Sequence, residues 1–339
     1  MIEKIWLLLD SRNPGGIESH VLQLADGLIR HRQEVEVVFL TNYGEHPLRN
    51  ELRRRNIPTR SLDGRLRTLW KTMHQARPTL VHTHGYKAGL YGRLAAWLSG
   101  TPAVSTYHAG EIASGRVALY DWLDRASARL AAKVFAVSPQ IAERLPVSAE
   151  TFDNFINTDG LTDSRGEQIA FVGRLSREKG PDRFVQLAKR FPQQSFHIYG
   201  DGPMASALKN TASGNVHFHG QQSDMNRIWP RIGLLVMPSR HEGLPMAALE
   251  AMARGIPLLA YRVGALDRLI EDNRGGWLAS PGNSTELAQG LTWWLGMENG
   301  NRKEIRRSAR QKISQRFSSR IAIPRLIQHY YQIARSSMA

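Results

Sequence analysis

The sequence predicts an α/β protein made of two doubly wound parallel sheets, and three observations carry that prediction. Short β-branched runs alternate with longer helix-patterned stretches, the arrangement of parallel strands wrapped by helices. A chain of 339 residues exceeds one ordinary core and suits two domains of about 150 residues each. A polar, glycine-containing stretch from Asn157 to Gly166 lies between the last strand-like run of one half and the first of the next, where a linker belongs.

In the first half, strands are expected at Lys4 to Leu9, Val35 to Thr41, Leu80 to Thr83, Ala103 to Tyr107 and Val134 to Val137. In the second they are expected at Ile169 to Val172, Ser195 to Tyr199, Val216 to His219, Leu234 to Met237, Leu258 to Ala260 and Gly276 to Ala279. Ser138-Pro139 reads as a helix N-cap followed by proline at the first helical position. Pro238 closes the buried strand at Leu234 to Met237, and Pro245 suits the first turn of the next helix, where its missing N–H costs nothing. Arg316 to Ile333 has a helical pattern that Pro324 must end or kink. Open sheets of this kind take ligands at the carboxyl ends of their strands, so binding is expected there, in a cleft between the two domains.

Composition narrows the function. The chain has no cysteine, which excludes disulfides, thiolate nucleophiles and cysteine-ligated zinc. No run of about eighteen apolar residues is present to cross a membrane, and Met1 to Asp10 is too short and too soon charged for a signal peptide, so a cytoplasmic protein is expected. The net charge of +15 is concentrated. Residues 49–93 carry eleven Lys and Arg, among them Arg53, Arg54, Arg55, Arg65, Arg67 and Lys71, against Glu51 and Asp63. Residues 301–339 carry ten against Glu304. Leu69 and Trp70 interrupt the first basic segment, which gives a basic face with an apolar anchor suited to an anionic membrane surface; the plain alternative is a solvated face. No nucleic-acid-binding signature accompanies the charge, so nucleic acid is not expected as a partner.

The most informative stretch runs from Ser239 to Pro257. It sets Glu242 and Glu250 on either side of a turn containing Gly243, Leu244 and Pro245 that opens into a helix. Loop amides and the helix dipole there favour an anion, and two acceptor-only carboxylates suit the hydroxyl-rich ends of a ligand whose phosphates lie at the helix start. Arg174 and Lys179, five apart after the strand ending at Val172, are what a departing diphosphate needs. Gly15 and Gly16, soon after the first strand, suit close backbone approach to a phosphate or sugar, or simply a tight turn. Gly200, Gly202 and Pro203 read as turn chemistry. His82 and His84 alternate like a metal pair, but no nearby carboxylate completes a site, so no metal is expected.

These motifs together resemble the retaining glycosyltransferases of the GT-B fold, specifically glycosyltransferase family four. Glu242 to Glu250 resembles the family's E-x7-E motif, and Phe171 to Gly180 its strand followed by G-R-L-x-x-x-K-G. Tyr199 to Pro203 is similar to its G-x-G-P turn, and Gly15 to Glu18 to its G-G-x-E loop, all in the expected order. The resemblance implies two Rossmann-like domains facing across a cleft. An acceptor-binding domain would span residues 1–160 and a nucleotide-sugar domain residues 161–318, with a last helix at 319–339 crossing back onto the first. It implies that Arg174 and Lys179 stabilise the leaving diphosphate, Glu250 holds the ribose, and Glu242 with its loop positions the donor sugar. It also gives His108 a place facing that sugar and phosphate. No D-x-D pair exists to hold a divalent metal, so cationic side chains and helix-end amides would replace it, and no cofactor is expected.

The implied activity is transfer of a hexose-type sugar from a nucleotide diphosphate (UDP favoured, GDP possible) to a lipid-linked or saccharide acceptor. Configuration would be retained, and the work would serve bacterial envelope or capsular polysaccharide assembly at the inner face of the cytoplasmic membrane. An epimerase or phosphorylase on the same fold, and a noncatalytic nucleotide-sugar-binding or scaffold protein, are the alternatives.

Overall fold

The computed structural model describes residues 4–13, 15–108, 115–270 and 274–338. Met1 to Glu3, at the head of the segment read against a signal peptide, and Ala109 and Gly110, which follow His108, lie outside them. The chain forms two units, one of Met1–Asn157 with Ser319–Ala339 and the other of Thr158–Ser318.

The first unit alternates strands and helices in chain order: β1 (Ile5–Leu9), α1 (Gly16–Arg30), β2 (Val35–Phe39), α2 (Pro47–Arg54), β3 (Thr59–Ser61), α3 (Leu66–Ala76), β4 (Leu80–His84), α4 (Tyr86–Ser99), β5 (Ala103–Tyr107), α5 (Gly115–Ala126), β6 (Lys133–Ala136), α6 (Pro139–Ala142) and β7 (Glu150–Thr151). Its seven strands are parallel, in the order β3-β2-β1-β4-β5-β6-β7. The order reverses between β1 and β4, which lie side by side with Leu9 level with His84. β1 is buried along its whole length, as a strand covered by helices on both faces must be.

The second unit repeats the plan with β8 (Gln168–Val172), α7 (Pro181–Lys189), β9 (Phe196–Tyr199), α8 (Ala205–Thr211), β10 (Val216–Phe218), β11 (Ile232–Met237), α9 (Met246–Met252), β12 (Leu258–Tyr261), β13 (Gly276–Ala279), α10 (Ser284–Leu295) and α11 (Asn299–Arg316). Its six parallel strands run β10-β9-β8-β11-β12-β13, with the reversal between β8 and β11. In its core Phe184 packs edge to face on Phe196 and at a tilt on Phe171.

The last helix, α12 (Ser319–Met338), belongs to the first unit. Ile323, Leu326 and Tyr330 are buried in that unit's core. Gly27 on α1 makes room for it, because a Cβ there would lie 2.6 Å from the Ile323 side chain.

Three expectations need correction. Pro324 does not end the helix: it sits in the second turn of α12, and the interruption of the expected run falls at Phe317 and Ser318. The short edge strands β3 and β7 went unread, since Thr-Arg-Ser and Glu-Thr carry no apolar run. Leu69 is fully buried and Trp70 packs against the same cluster, so neither forms an exposed anchor. The exposed large apolar side chains of this unit include Trp97 and Leu98 at the end of α4, and Leu119, Tyr120 and Trp122 on α5.

Candidate active site

In the second unit the predicted residues gather where β8 and β11 end, at the sheet's point of reversal. The chain leaves β8 through Gly173 and Arg174, makes one turn at Arg177–Lys179, and reaches Gly180 at φ +67°. A Cβ on Gly180 would lie 2.2 Å from the carbonyl oxygen of Pro238, so only glycine lets this loop press against the loop leaving β11. Arg240 ties the two loops again: its backbone N–H donates to the Glu178 carbonyl at 2.7 Å. Its guanidinium forks onto Asp182 at 2.8 and 2.6 Å, which holds that carboxyl below the usual range and raises Arg240.

Inside this frame lies the Glu242 carboxylate, whose side chain is 3% exposed. One oxygen accepts from Ser239 Oγ at 2.7 Å and the other from Lys179 Nζ at 2.7 Å. Lys179 remains one-third exposed, so its ammonium keeps a face for another anion. Gly243, Leu244 and Pro245 are buried, and Pro245 caps α9 rather than entering it. Glu250, partly buried, lies just over one turn into α9. Arg174 is exposed at the start of the same β8 loop and has no side-chain partner among the described residues. Gly200 and Gly202 are spacing residues: Cβ atoms there would meet Gly173 O at 1.9 Å and Leu175 O at 2.6 Å.

Sequence reasoning assigned nothing to Ser239, Arg240 or Asp182. Ser239 and Arg240 stand inside the motif already singled out, but Asp182 is 58 residues from its partner and has no local signal.

In the first unit, Gly15 caps α1 in an extended conformation, and Gly16 opens the helix with nothing within 4 Å of a built Cβ. The same switch point gathers histidines. His82 has both ring nitrogens occupied, by Tyr330 OH at 2.5 Å and Thr106 Oγ1 at 2.7 Å, which removes it as a ligand. Burial lowers it to about 3. The rings of His82 and His84 lie side by side, with centroids 4.3 Å apart, but His82 has no nitrogen left to offer. His84 Nδ1 instead lies 3.1 Å from His108 Nε2, and the His20 ring packs on His108 with centroids 4.7 Å apart. Burial lowers His108 to about 4. His20 was unread, because a histidine one turn into an amphipathic helix looks like any other buried residue.

A cavity of about 360 Å³ opens beside these groups, lined by His108, Gly85, Tyr86, Tyr107, Arg125 and Arg144 among others. Arg93 and Asp124 form its buried ion pair at 2.5 Å, with further Arg93 hydrogen bonds to Ser105, Ser127 and the Asp124 carbonyl. The fully bonded guanidinium makes this pair structural.

Two families match the chain. The one described as Glycosyl transferases group 1 matches residues 154–312, and the one described as Glycosyltransferase Family 4 matches residues 14–147. The chain is similar to the UDP-Gal:alpha-D-GlcNAc-diphosphoundecaprenol alpha-1,3-galactosyltransferase of Escherichia coli, at 27% identity over 250 residues that cover 62% of this chain and 65% of that enzyme. It is also similar to the 2-deoxystreptamine glucosyltransferase of Streptomyces kanamyceticus, at 33% identity over 165 residues, 45% of this chain and 42% of that enzyme. The chain thus spans less than two thirds of either relative's length. Among solved structures, Anabaena HepE in complex with UDP and glucose has the same fold, with a TM-score of 0.82 over 96% of this chain and 99% of that one at 20% identity.

Proposed function

We propose that this chain, which belongs to the group 1 glycosyltransferases of family four and has their GT-B fold, moves a hexose-type sugar from a nucleotide diphosphate to a lipid-linked or saccharide acceptor with retention of configuration. The observation that carries the reading is the Lys179–Glu242 pair, seated where β8 and β11 end and framed by the Arg240–Asp182 clasp. A one-third exposed ammonium fixed by a buried carboxylate is a preorganised electrostatic device: it meets charge as charge develops on a leaving diphosphate, without reorganising. Arg174, free to swing, supplies a second positive charge to the same phosphates. Glu250 binds the ribose, and the Gly243-Leu244-Pro245 turn seats the sugar beside Glu242. In the first unit, Gly15 and Gly16 offer open backbone to the ligand, and His108 attends the transferring sugar. No metal is required at the diphosphate.

UDP is favoured over GDP because the E. coli relative is a UDP-Gal-dependent galactosyltransferase, and its diphosphoundecaprenol-linked acceptor supports a lipid-linked one here. Envelope polysaccharide assembly at the inner face of the cytoplasmic membrane is the setting proposed. No helix among the described residues is long and apolar enough to cross a membrane, so the contact would be peripheral, through the basic segment of the first unit and the exposed Trp97 and Trp122.

Thermal-shift titration with UDP, GDP and their sugar conjugates tests the reading, since a ligand bound only by the native state raises the melting temperature by mass action. UDP-sugars should raise it most. No shift with any nucleotide diphosphate would overturn the proposal.

A further inference from the structure

Three histidines from separate parts of the first unit converge on one point. His20 comes from the second turn of α1, His84 from the end of β4, and His108 from the residue after β5. One ring nitrogen from each lies within 4.8 Å of the others. His20 and His84 are almost wholly buried, at 3% and 1% exposure, while His108 is partly exposed.

Two of the nitrogens have no partner. His20 Nδ1 and His84 Nε2 are buried without a hydrogen bond among the described residues. Leaving such a group unpaired costs about 1–3 kcal/mol, so buried nitrogens normally have one. The contrast with His82 is informative. It lies beside His84, ring centroids 4.3 Å apart, and has both nitrogens satisfied.

We propose that His20, His84 and His108 form a binding site for a divalent transition metal of the zinc class. Three neutral imidazoles with no carboxylate among the described residues are a donor set for zinc, cobalt or nickel, and not for magnesium or calcium, which take oxygen. Tetrahedral zinc with bonds of about 2.0–2.1 Å sets its ligand nitrogens roughly 3.3 Å apart. The 3.1 Å between His84 Nδ1 and His108 Nε2 already matches that spacing, and a His20 nitrogen lies within 4.8 Å of both. The metal replaces the proton these two rings share. That proton moves to His84 Nε2, so the exchange needs no net loss of protons, and of the two unpartnered nitrogens His20 Nδ1 is the one the ion would satisfy. The cavity lined by His108 gives the ion an entry path and leaves a fourth position for water.

The site has a consequence that rests on the function proposed above. A metal on His108 takes it away from the sugar, so the ion is an inhibitor and not a cofactor.

The test uses the full chain, stripped with a chelator and dialysed. Calorimetric titration with zinc should give one site per chain, and cobalt should give the visible absorption of a tetrahedral nitrogen site, with magnesium as the blank. His20→Gln and, separately, His84→Gln should each weaken zinc at least ~100-fold, since loss of a mere outer-shell partner costs 10–100-fold. Far-UV circular dichroism and a thermal melt establish that each variant is folded; if one is not, the other carries the test. No zinc binding, or binding unchanged in a folded variant, would overturn the site. Zinc bound by the three histidines without loss of sugar transfer would leave the site standing and count against the role given to His108.

Discussion

Lys179 Nζ and Glu242 Oε2 meet at 2.7 Å across 63 residues of sequence, and the carboxylate in that pair is the more deeply buried partner. The asymmetry decides what each substitution does. Removing Glu242 exposes the ammonium further to water, whereas removing Lys179 leaves a buried negative charge beside Ser239.

Lys179→Ala and Arg174→Ala are therefore expected to lower turnover by about 10²–10³ while changing donor affinity much less, because their charges act on the leaving group as it departs. Lys179→Ala should also lower the melting temperature, by the roughly 1.5–3 kcal/mol of a hydrogen bond to a charged group, and Arg174→Ala should not. The double variant Lys179→Met with Glu242→Gln should recover stability without recovering turnover. Steady-state kinetics and thermal melts on the same samples check both, and unchanged turnover with a true acceptor in both single variants would remove the leaving-group role.

Gly180→Ala should disable the donor unit without touching a charge. The left-handed backbone costs a non-glycine residue about 1–2 kcal/mol, and the added methyl meets the Pro238 carbonyl besides. A lower melting temperature together with weaker UDP binding is expected. Gly214→Ala, where a Cβ meets nothing within 4 Å, serves as the control.

Acid should loosen the first unit. His82 is lowered from 6.5 to about 3 and His108 to about 4, so between those limits the unfolded chain binds protons that the folded one refuses. Stability is then fully present above pH 6.5 and falls as pH drops, by roughly 2 kcal/mol for His82 alone at pH 5. Asp124, which burial pushes up to about 6, acts in the opposite direction. Melting temperatures between pH 7.5 and 5 should fall, and His82→Gln should flatten that slope even as it lowers the starting value.

Chelation is expected to leave sugar transfer intact or to raise it. If EDTA abolished transfer and added magnesium or manganese restored it, the metal-free treatment of the diphosphate would be wrong.

Binding to anionic vesicles should be strong at low salt and fade as salt rises, since exposed charges are screened within about 8 Å at physiological ionic strength. Arg53, Arg54, Arg65, Arg67 and Lys71 are all exposed, but Arg55 is drawn onto Glu51 and Asp26. Replacing Arg53, Arg54 and Arg67 by glutamine should weaken flotation most, at about 1 kcal/mol per charge near the surface. Trp97→Ala with Trp122→Ala should weaken it less steeply with salt. Equal recovery with neutral and anionic lipid would return the segment to a solvated face.

Much of this was legible in the sequence, and for identifiable reasons. Central strands such as Leu234 to Met237 are continuous apolar runs bounded by turn residues, so they can be read one residue at a time. Arg174, Lys179, Glu242 and Glu250 sit in short local motifs. What escaped depends on distance in the chain. The Arg240–Asp182 clasp and the meeting of His20 with His84 and His108 exist only after strands β1, β4, β5, β8 and β11 have been laid side by side. Trp70 was misjudged because a basic helix with one tryptophan gives no sign of which way that ring turns; α3 turns it toward the core.

The return of α12 makes the second unit an insertion within the first. The chain leaves the first unit at Asn157 and re-enters it at Ser319, whose N–H donates to the Ile156 carbonyl at 2.8 Å, so exit and re-entry are adjacent. Such a layout permits excision: joining residue 157 to residue 319 by a few flexible residues should leave the first sheet with its core, its Tyr330–His82 hydrogen bond and its histidine cluster complete. A chain cut at residue 318 is a different molecule. It would lose Ile323 and Tyr330 together, open the face of α1 at Gly27, and strand a buried imidazole nitrogen. Modularity in this protein is therefore nested, and a gene-level boundary drawn once between halves would sever one domain while appearing to separate two.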